Sequence, residues 1–217
     1  MVACSVAVLL TVLSAASSAQ SGSPASGTSP RESVDELYRR GHRANASVKT
    51  LTARFTETTT SSLLVRPLVS RGMLAVERPS RVVLRFTDPE PRVVVIEGER
   101  MTVSWPARSL RHVSNISSTH NRIQKYLASD SADELRRQFN IELHDPSERQ
   151  GTHEFVLTPK RNRIRDTIAR LDLWVEPSSF LLSAIRMTFA NGDTKTMVFE
   201  DVVLNVVLDP ATFSLDQ

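Results

Sequence analysis

The side chains able to do chemistry are scattered along this chain. Its five histidines, His42, His112, His120, His144 and His153, include no pair spaced i, i+4, so no helix face offers two imidazoles to a metal. His144, His153 and Asp145 make a metal site only if an unseen loop closure joins them; surface or turn positions are the simpler reading. Carboxylates adjoin at Asp133-Glu134 and Glu200-Asp201, but neighbours point apart on a helix or a strand, so neither pair implies a shared acid–base task. The sequence has no GxSxG elbow, P-loop, GxGxxG or HExxH. Asn45-Ala46-Ser47 and Asn115-Ile116-Ser117 match the N-glycosylation triplet, which matters only in a host that performs that chemistry. Nothing here argues for an enzyme, a metal or a cofactor.

Arg78, followed by Pro79, is of another kind. It stands at a strand end between two apolar-alternating segments, with Leu74, Val76, Val82 and Leu84 on its face if the turn keeps parity. Two readings are open: a cation snorkelling from an apolar rim, or a donor to the carbonyls of a covering lid or to an ester or phosphate head group.

The elements that must position these residues are mostly strands. Leu51, Ala53 and Phe55 alternate with Thr52, Arg54 and Thr56. Further strands are predicted over Leu63–Val69, Gly72–Glu77, Val82–Thr87, Arg92–Glu97, Arg100–Trp105 and Arg108–Val113, then Ile141–Leu143, Glu154–Thr158, Ala169–Val175, Leu181–Phe189 and Thr194–Val206. Arg78-Pro79-Ser80, Asp88-Pro89-Glu90-Pro91, Glu97-Gly98-Glu99 and Asn191-Gly192-Asp193 supply the turns. A first helix is predicted from the capping box Ser33-Val34-Asp35-Glu36, with Val34, Leu37, Tyr38 and Val48 on one stripe and Gly41 weakening its middle. Asn121–Phe139 has helical spacing, with Asp130 or Ser131 capping a second short helix. Asp209-Pro210 opens a closing turn from which Phe213 and Leu215 return to the sheet. A flat sheet of roughly ten strands is not stable and must curl, split or close. The expected fold is mainly β (α+β): one strongly curved antiparallel sheet forming an incomplete barrel, its concave side covered by a few helices.

Of 217 residues, 40% are hydrophobic and 24% charged, which excludes intrinsic disorder of the whole chain. A formal net charge of +3 is no footprint for nucleic acid. The single cysteine, Cys4, excludes a disulfide framework. Residues 1–19 carry no charge and include an apolar run, Val6–Val12, followed by Ser17-Ser18-Ala19, which reads as a signal peptide. No Lys or Arg precedes that run, and Cys4 lies ahead of it, so it is not a lipid-accepting cysteine. Residues 20–31 read as a flexible Ser/Gly/Pro leader and residues 32–217 as one exported domain.

The ordered set Leu51-Thr-Ala-Arg-Phe-Thr-Glu57, Gly72-Met-Leu-Ala-Val-Glu-Arg-Pro79, Arg81-Val-Val-Leu-Arg-Phe86, Glu97-Gly-Glu-Arg-Met-Thr-Val103, Phe155-Val-Leu-Thr-Pro-Lys160, Phe199-Glu-Asp-Val202 and Phe213-Ser-Leu-Asp216 resembles the periplasmic outer-membrane lipoprotein carriers, the LolA-like family. The resemblance implies a periplasmic monomer that takes the acyl chains of a lipoprotein from an inner-membrane ABC transporter and delivers them to an outer-membrane acceptor. It implies a lipid-binding cavity at Phe55, Leu74, Val76, Val82, Leu84, Phe86, Val94 and Ile96, and a gating role for Arg78, whose counterpart hydrogen-bonds the helical lid. The best-known carriers have several Trp, Phe and Met where this chain has Ala75, Val82 and Leu84. Relatives of the fold carry or sense other lipids, glycolipids among them, which is the alternative reading.

Overall fold

The computed structural model describes residues 33–116 and 132–215. The expectations for the signal peptide, the leader and most of the Asn121–Phe139 helix, its Asp130 or Ser131 cap included, fall outside those residues. Helix α1 (Val34–Ala44) begins as the capping box requires, the Ser33 hydroxyl accepting from the Glu36 amide at 3.2 Å. Asp35 and Glu36 in its first turn and His42 and Arg43 in its last complement the helix dipole. The helix stops before Val48, which is buried in the link to the sheet instead of extending the helical stripe.

Eleven strands follow: β1 (Thr50–Thr60), β2 (Leu68–Glu77), β3 (Arg81–Asp88), β4 (Arg92–Glu97), β5 (Arg100–Trp105), β6 (Leu110–Asn115), β7 (Phe139–His144), β8 (His153–Pro159), β9 (Ile168–Val175), β10 (Leu182–Phe189) and β11 (Thr194–Leu204). Two short helices, α2 (Asp133–Gln138) and α3 (Asn162–Arg165), precede β7 and β9. Phe139, expected to end a helix, instead opens β7, and the N-cap of α2 is Ala132 with no side-chain hydrogen bond. All strands join one antiparallel sheet in the order β6-β5-β4-β3-β2-β1-β11-β10-β9-β8-β7, with β6 and β7 at the ends of the order. Of the outcomes open to so many strands, the sheet neither splits nor closes, in keeping with the expected incomplete barrel.

The predicted strand Leu63–Val69 does not form as such. The Ser61 carbonyl accepts from the Leu64 amide at 3.1 Å and the Ser61 hydroxyl from the Leu63 amide at 3.2 Å, so the apolar run is thrown outward in a turn. Pro67 has no amide to donate, and pairing resumes only at Leu68, whose strand runs without a break to Glu77. Elsewhere the turn chemistry is as read: Gly98 and Gly192 take φ of 55° and 85° in the hairpins. β6 begins at Leu110, two residues later than expected, because Pro106–Arg108 forms a 3-10 turn closed by Ser109 at φ 50°.

Alternation sorts each strand into two faces. One gathers Leu51, Ala53, Phe55, Leu74, Val76, Val82, Leu84, Phe86, Val94, Ile96, Met101, Val103, Ile116, Ile185, Met197 and Phe199 into a single buried cluster. It continues through Leu173 onto Leu157, Leu171 and Met187. The opposite face of β2–β4 buries Ala75, Val83, Val93 and Val95 under Phe213, with Leu208 and Leu215 packed against them. Phe213 and Leu215 thus return to the sheet as expected. Arg81 lies 4.1 Å over the Phe213 ring, and the Arg85 guanidinium donates to the carbonyls of Thr212 at 2.9 Å and Ser214 at 2.5 Å.

Candidate functional site

The eight residues singled out for a cavity fall on one face in register. Leu74 faces Leu84, which faces Val94; Val76 faces Val82, which faces Ile96. Phe55 stands opposite Gly72, and Gly72 opposite Phe86. The missing side chain lets the two rings meet edge to face above it, 4.9 Å apart at 75°. A Cβ on Gly72 would sit 2.1 Å from the Arg85 carbonyl oxygen and 2.7 Å from the Phe55 ring. Cross-strand neighbours extend the rows to Val103, Met101 and Phe199, which the sequence reading does not include.

Ala75 is a correction. Its comparison with the cavity aromatics of the family assumed that it faces inward, but it lies on the opposite face against Val83 and Phe213. Parity decides this: Leu74 and Val76 point in, so the residue between them points out.

The apolar rows end in charge. Glu57 continues the inward side of β1 two residues beyond Phe55 and is buried. Its Oε1 accepts from Lys195 Nζ at 3.1 Å and Arg92 Nη2 at 3.3 Å, and Arg92 lies 3.7 Å over the Phe86 ring. A buried carboxylate needs such partners to offset its desolvation. Alternation from Phe55 is enough to place Glu57; nothing in the sequence around Lys195 marks it as the partner.

At the other end of the strands sits Arg78. Its amide donates to the Lys49 carbonyl at 2.8 Å and its Nη1 to the Asn45 carbonyl at 3.1 Å. Burial pushes the guanidinium pKa below the usual arginine value. Asn45 caps the C-terminus of α1 and is only 2% exposed. Its side-chain amide donates to the carbonyls of Gly41 at 3.1 Å, Ser179 at 3.2 Å and Phe180 at 3.4 Å. One residue therefore ties the helix to the β2–β3 turn on one half of the sheet and to the β9–β10 turn on the other. Arg40, at 5.0 Å over the Phe180 ring, and an ion pair between Asp35 and Arg136 fix α1 at two further points. In the sequence Asn45 stands out only as part of a glycosylation triplet, and burial removes it from any such use in the folded chain.

His144 lies 3.7 Å from Glu142 and from Glu154, whereas His153 stacks on Phe180 at 6.4 Å. Among the described residues, no group of three or more His, Cys, Asp or Glu is placed to hold a metal. No helix among them is long and apolar enough to cross a membrane.

The family profile described as "Outer membrane lipoprotein carrier protein LolA" matches residues 46–216 of this chain. The chain belongs to the LolA family. It is 23% identical over 168 residues to an outer-membrane lipoprotein carrier protein of Pseudomonas entomophila, covering 77% of this chain and 78% of that one. A protein of the same name from Dechloromonas aromatica is 27% identical over 180 residues, covering 83% and 81%. Among solved structures, an uncharacterized conserved protein from Thermus thermophilus superposes with a TM-score of 0.52 at 10% identity, covering 82% of this chain and 90% of that one. MucB in complex with MucA(peri) superposes at 0.50 and 13% identity, covering 84% and 59%. These last two show likeness of fold alone.

Proposed function

We propose that this protein is a periplasmic carrier of acylated lipoproteins, sheltering their acyl chains against the inner face of the sheet between the inner and outer membranes. Residues 1–19 act as its signal peptide, 20–31 as a leader and 32–217 as the carrier domain. Phe55, Leu74, Val76, Val82, Leu84, Phe86, Val94 and Ile96 line the binding face, and Arg78 acts as the latch. An inner-membrane ABC transporter loads it and an outer-membrane acceptor unloads it, without a catalytic step.

The observation that carries this reading is the chemistry of the inner face together with family membership. Each acyl methylene exposed to water costs about 0.8 kcal/mol, so a sixteen-carbon chain needs roughly 12 kcal/mol of shelter to cross an aqueous space. A face of aliphatic rows offers that shelter without directional bonds, so the chain is also free to leave. The Arg78–Asn45 hydrogen bond supports the latch: it joins the sheet rim to the end of α1 through one side chain, so its loss removes one fastening of the helix while the strands stay paired.

Native mass spectrometry of protein purified gently from the periplasm, with lipid extraction of the same sample, tests the reading. A bound acylated peptide supports it. A bound lipid without a peptide would make the protein a carrier or sensor of another lipid, and an empty protein that takes up no fluorescent fatty acid would overturn carriage. Arg78→Leu is expected to keep the fold and stall hand-over to the acceptor; normal transfer in vitro would remove Arg78 from the mechanism.

A further inference from the structure

The strand ends remote from Arg78 gather the β1–β2, β3–β4, β5–β6, β8–β9 and β10–β11 connections on one side of the sheet. Two features there have no task in the inner face. The first is the Ser61 turn, which projects Leu63 at 90% and Val65 at 107% exposure, with Leu64 beside them. Two hydrogen bonds within the turn hold this apolar tip in place, so its exposure is built and not incidental. The second is charge. Arg66 follows the tip directly, and the β8–β9 connection exposes Lys160, Arg161 and Arg165. Lys160 Nζ donates to the Arg136 carbonyl, and Arg165 to the Lys160 carbonyl and the Asn162 side chain. These neutral acceptors shape the turn, and Lys160, Arg161 and Arg165 outnumber the one acidic residue of the connection, Asp166. The acidic residues of the neighbouring β3–β4 turn are engaged, Asp88 by Arg71 and Glu90 by Arg108.

We propose that this end of the molecule docks on an anionic phospholipid bilayer, Leu63, Leu64 and Val65 entering the interface while Arg66 and the 160–165 turn lie on head-group phosphates. A short apolar tip beside cations on the same side matches a surface that is anionic above and apolar below. A second copy presents the same positive charge and is repelled. The proposal does not depend on what the inner face holds.

Co-sedimentation of the full chain with phosphatidylcholine vesicles, with and without phosphatidylglycerol, tests it. Binding is expected only to the anionic vesicles, to weaken with added salt, and to fall about tenfold in Leu63→Asp/Val65→Asp and several-fold in Lys160→Glu/Arg161→Glu. Both variants should keep the wild-type circular dichroism, since every substituted side chain is exposed, and the wild-type uptake of a fluorescent fatty acid. Absence of binding to anionic vesicles, equal binding to neutral ones, or unchanged binding by the aspartate variant each overturns the proposal. Self-association of the wild type that the aspartate variant loses, seen by sedimentation velocity, would make a second copy the occupant instead. Failure of fatty-acid uptake would bear on the carrier reading alone.

Discussion

On β3, Val82 and Val83 are adjacent and both buried, yet their surroundings differ in kind. Val83 lies in a patch whose cover is fastened by directional contacts: Phe213 under the Arg81 guanidinium, and the carbonyls of the residues on either side of it accepting from Arg85. Farther round on that outer face, β8–β10 bury Trp174 beneath Arg186 at 5.0 Å, with Glu154 and Asp172 both at 0% exposure. Asp172 accepts from Arg170 at 2.5 Å and Arg186 at 2.8 Å, and Glu154 from the Glu148 amide at 2.6 Å. Val82 faces only Val76 and Ile96 in rows of aliphatic side chains. Charge-assisted hydrogen bonds fix positions because they weaken steeply off their preferred geometry. Dispersion contacts between methyl groups are weak singly and exchangeable. The outer face therefore fixes the frame, and on the proposed reading it is the inner face that would trade its own contacts for those of a bound chain.

The largest expected effect comes from joining the faces by force. Gly72→Val drives a side chain into the Arg85 carbonyl and the Phe55 ring, contacts that backbone cannot yield, and should cost about 3 kcal/mol or more in urea unfolding. A wild-type midpoint would show that β2 and β3 are not locked. Arg186→Met strips one of two cations from a fully buried Asp172 and is expected to cost roughly 2–3 kcal/mol while leaving fatty-acid uptake unchanged. Loss of uptake in that variant would break the division between frame and filling. The sharpest comparison is Val82→Thr against Val83→Thr, each costing about 1–2 kcal/mol for a buried hydroxyl. Only the first should weaken acyl binding, by several-fold in a displacement titration; equal effects would mean that both faces serve the ligand.

The smallest effect is on pH. The Arg186 hydrogen bond holds the Glu148 carboxyl below the usual carboxylate range. A depressed folded-state pKa adds stability that is complete above the unfolded value and disappears as pH falls through the folded one. Because the Glu148 side chain is 54% exposed, solvent screening limits the contribution to a few tenths of a kcal/mol. Glu148→Gln should flatten the acid limb of the urea midpoint against pH by that amount, and an unaltered limb would remove the pair from the frame.

Strands and turns were legible because alternation and turn residues act over a few positions: Leu74, Val76, Val82 and Leu84 sort to the correct face, and Asn191-Gly192-Asp193 closes its hairpin. Ser33 caps α1 for the same local reason. Failures arose where a distant partner decides. Leu63–Val65 has the composition of a strand but no partner strand among the described residues. Glu154 and Asp172 have the composition of surface residues, yet arginines from other positions make their burial tolerable. Asn45 and Ser179 lie 134 positions apart, and no spacing rule links them.

The sheet runs from β6 to β7 without those two strands pairing in its order. A closed ring of strands has its circumference fixed by strand number and stagger, so widening it means breaking a ladder. An open one has compliance: its girth changes through small adjustments of twist spread over ten strand pairs, with every ladder bond kept. On the carrier reading proposed above, such a wall would fit itself to the thickness of what it encloses, and one molecule could take cargoes with different numbers of acyl chains.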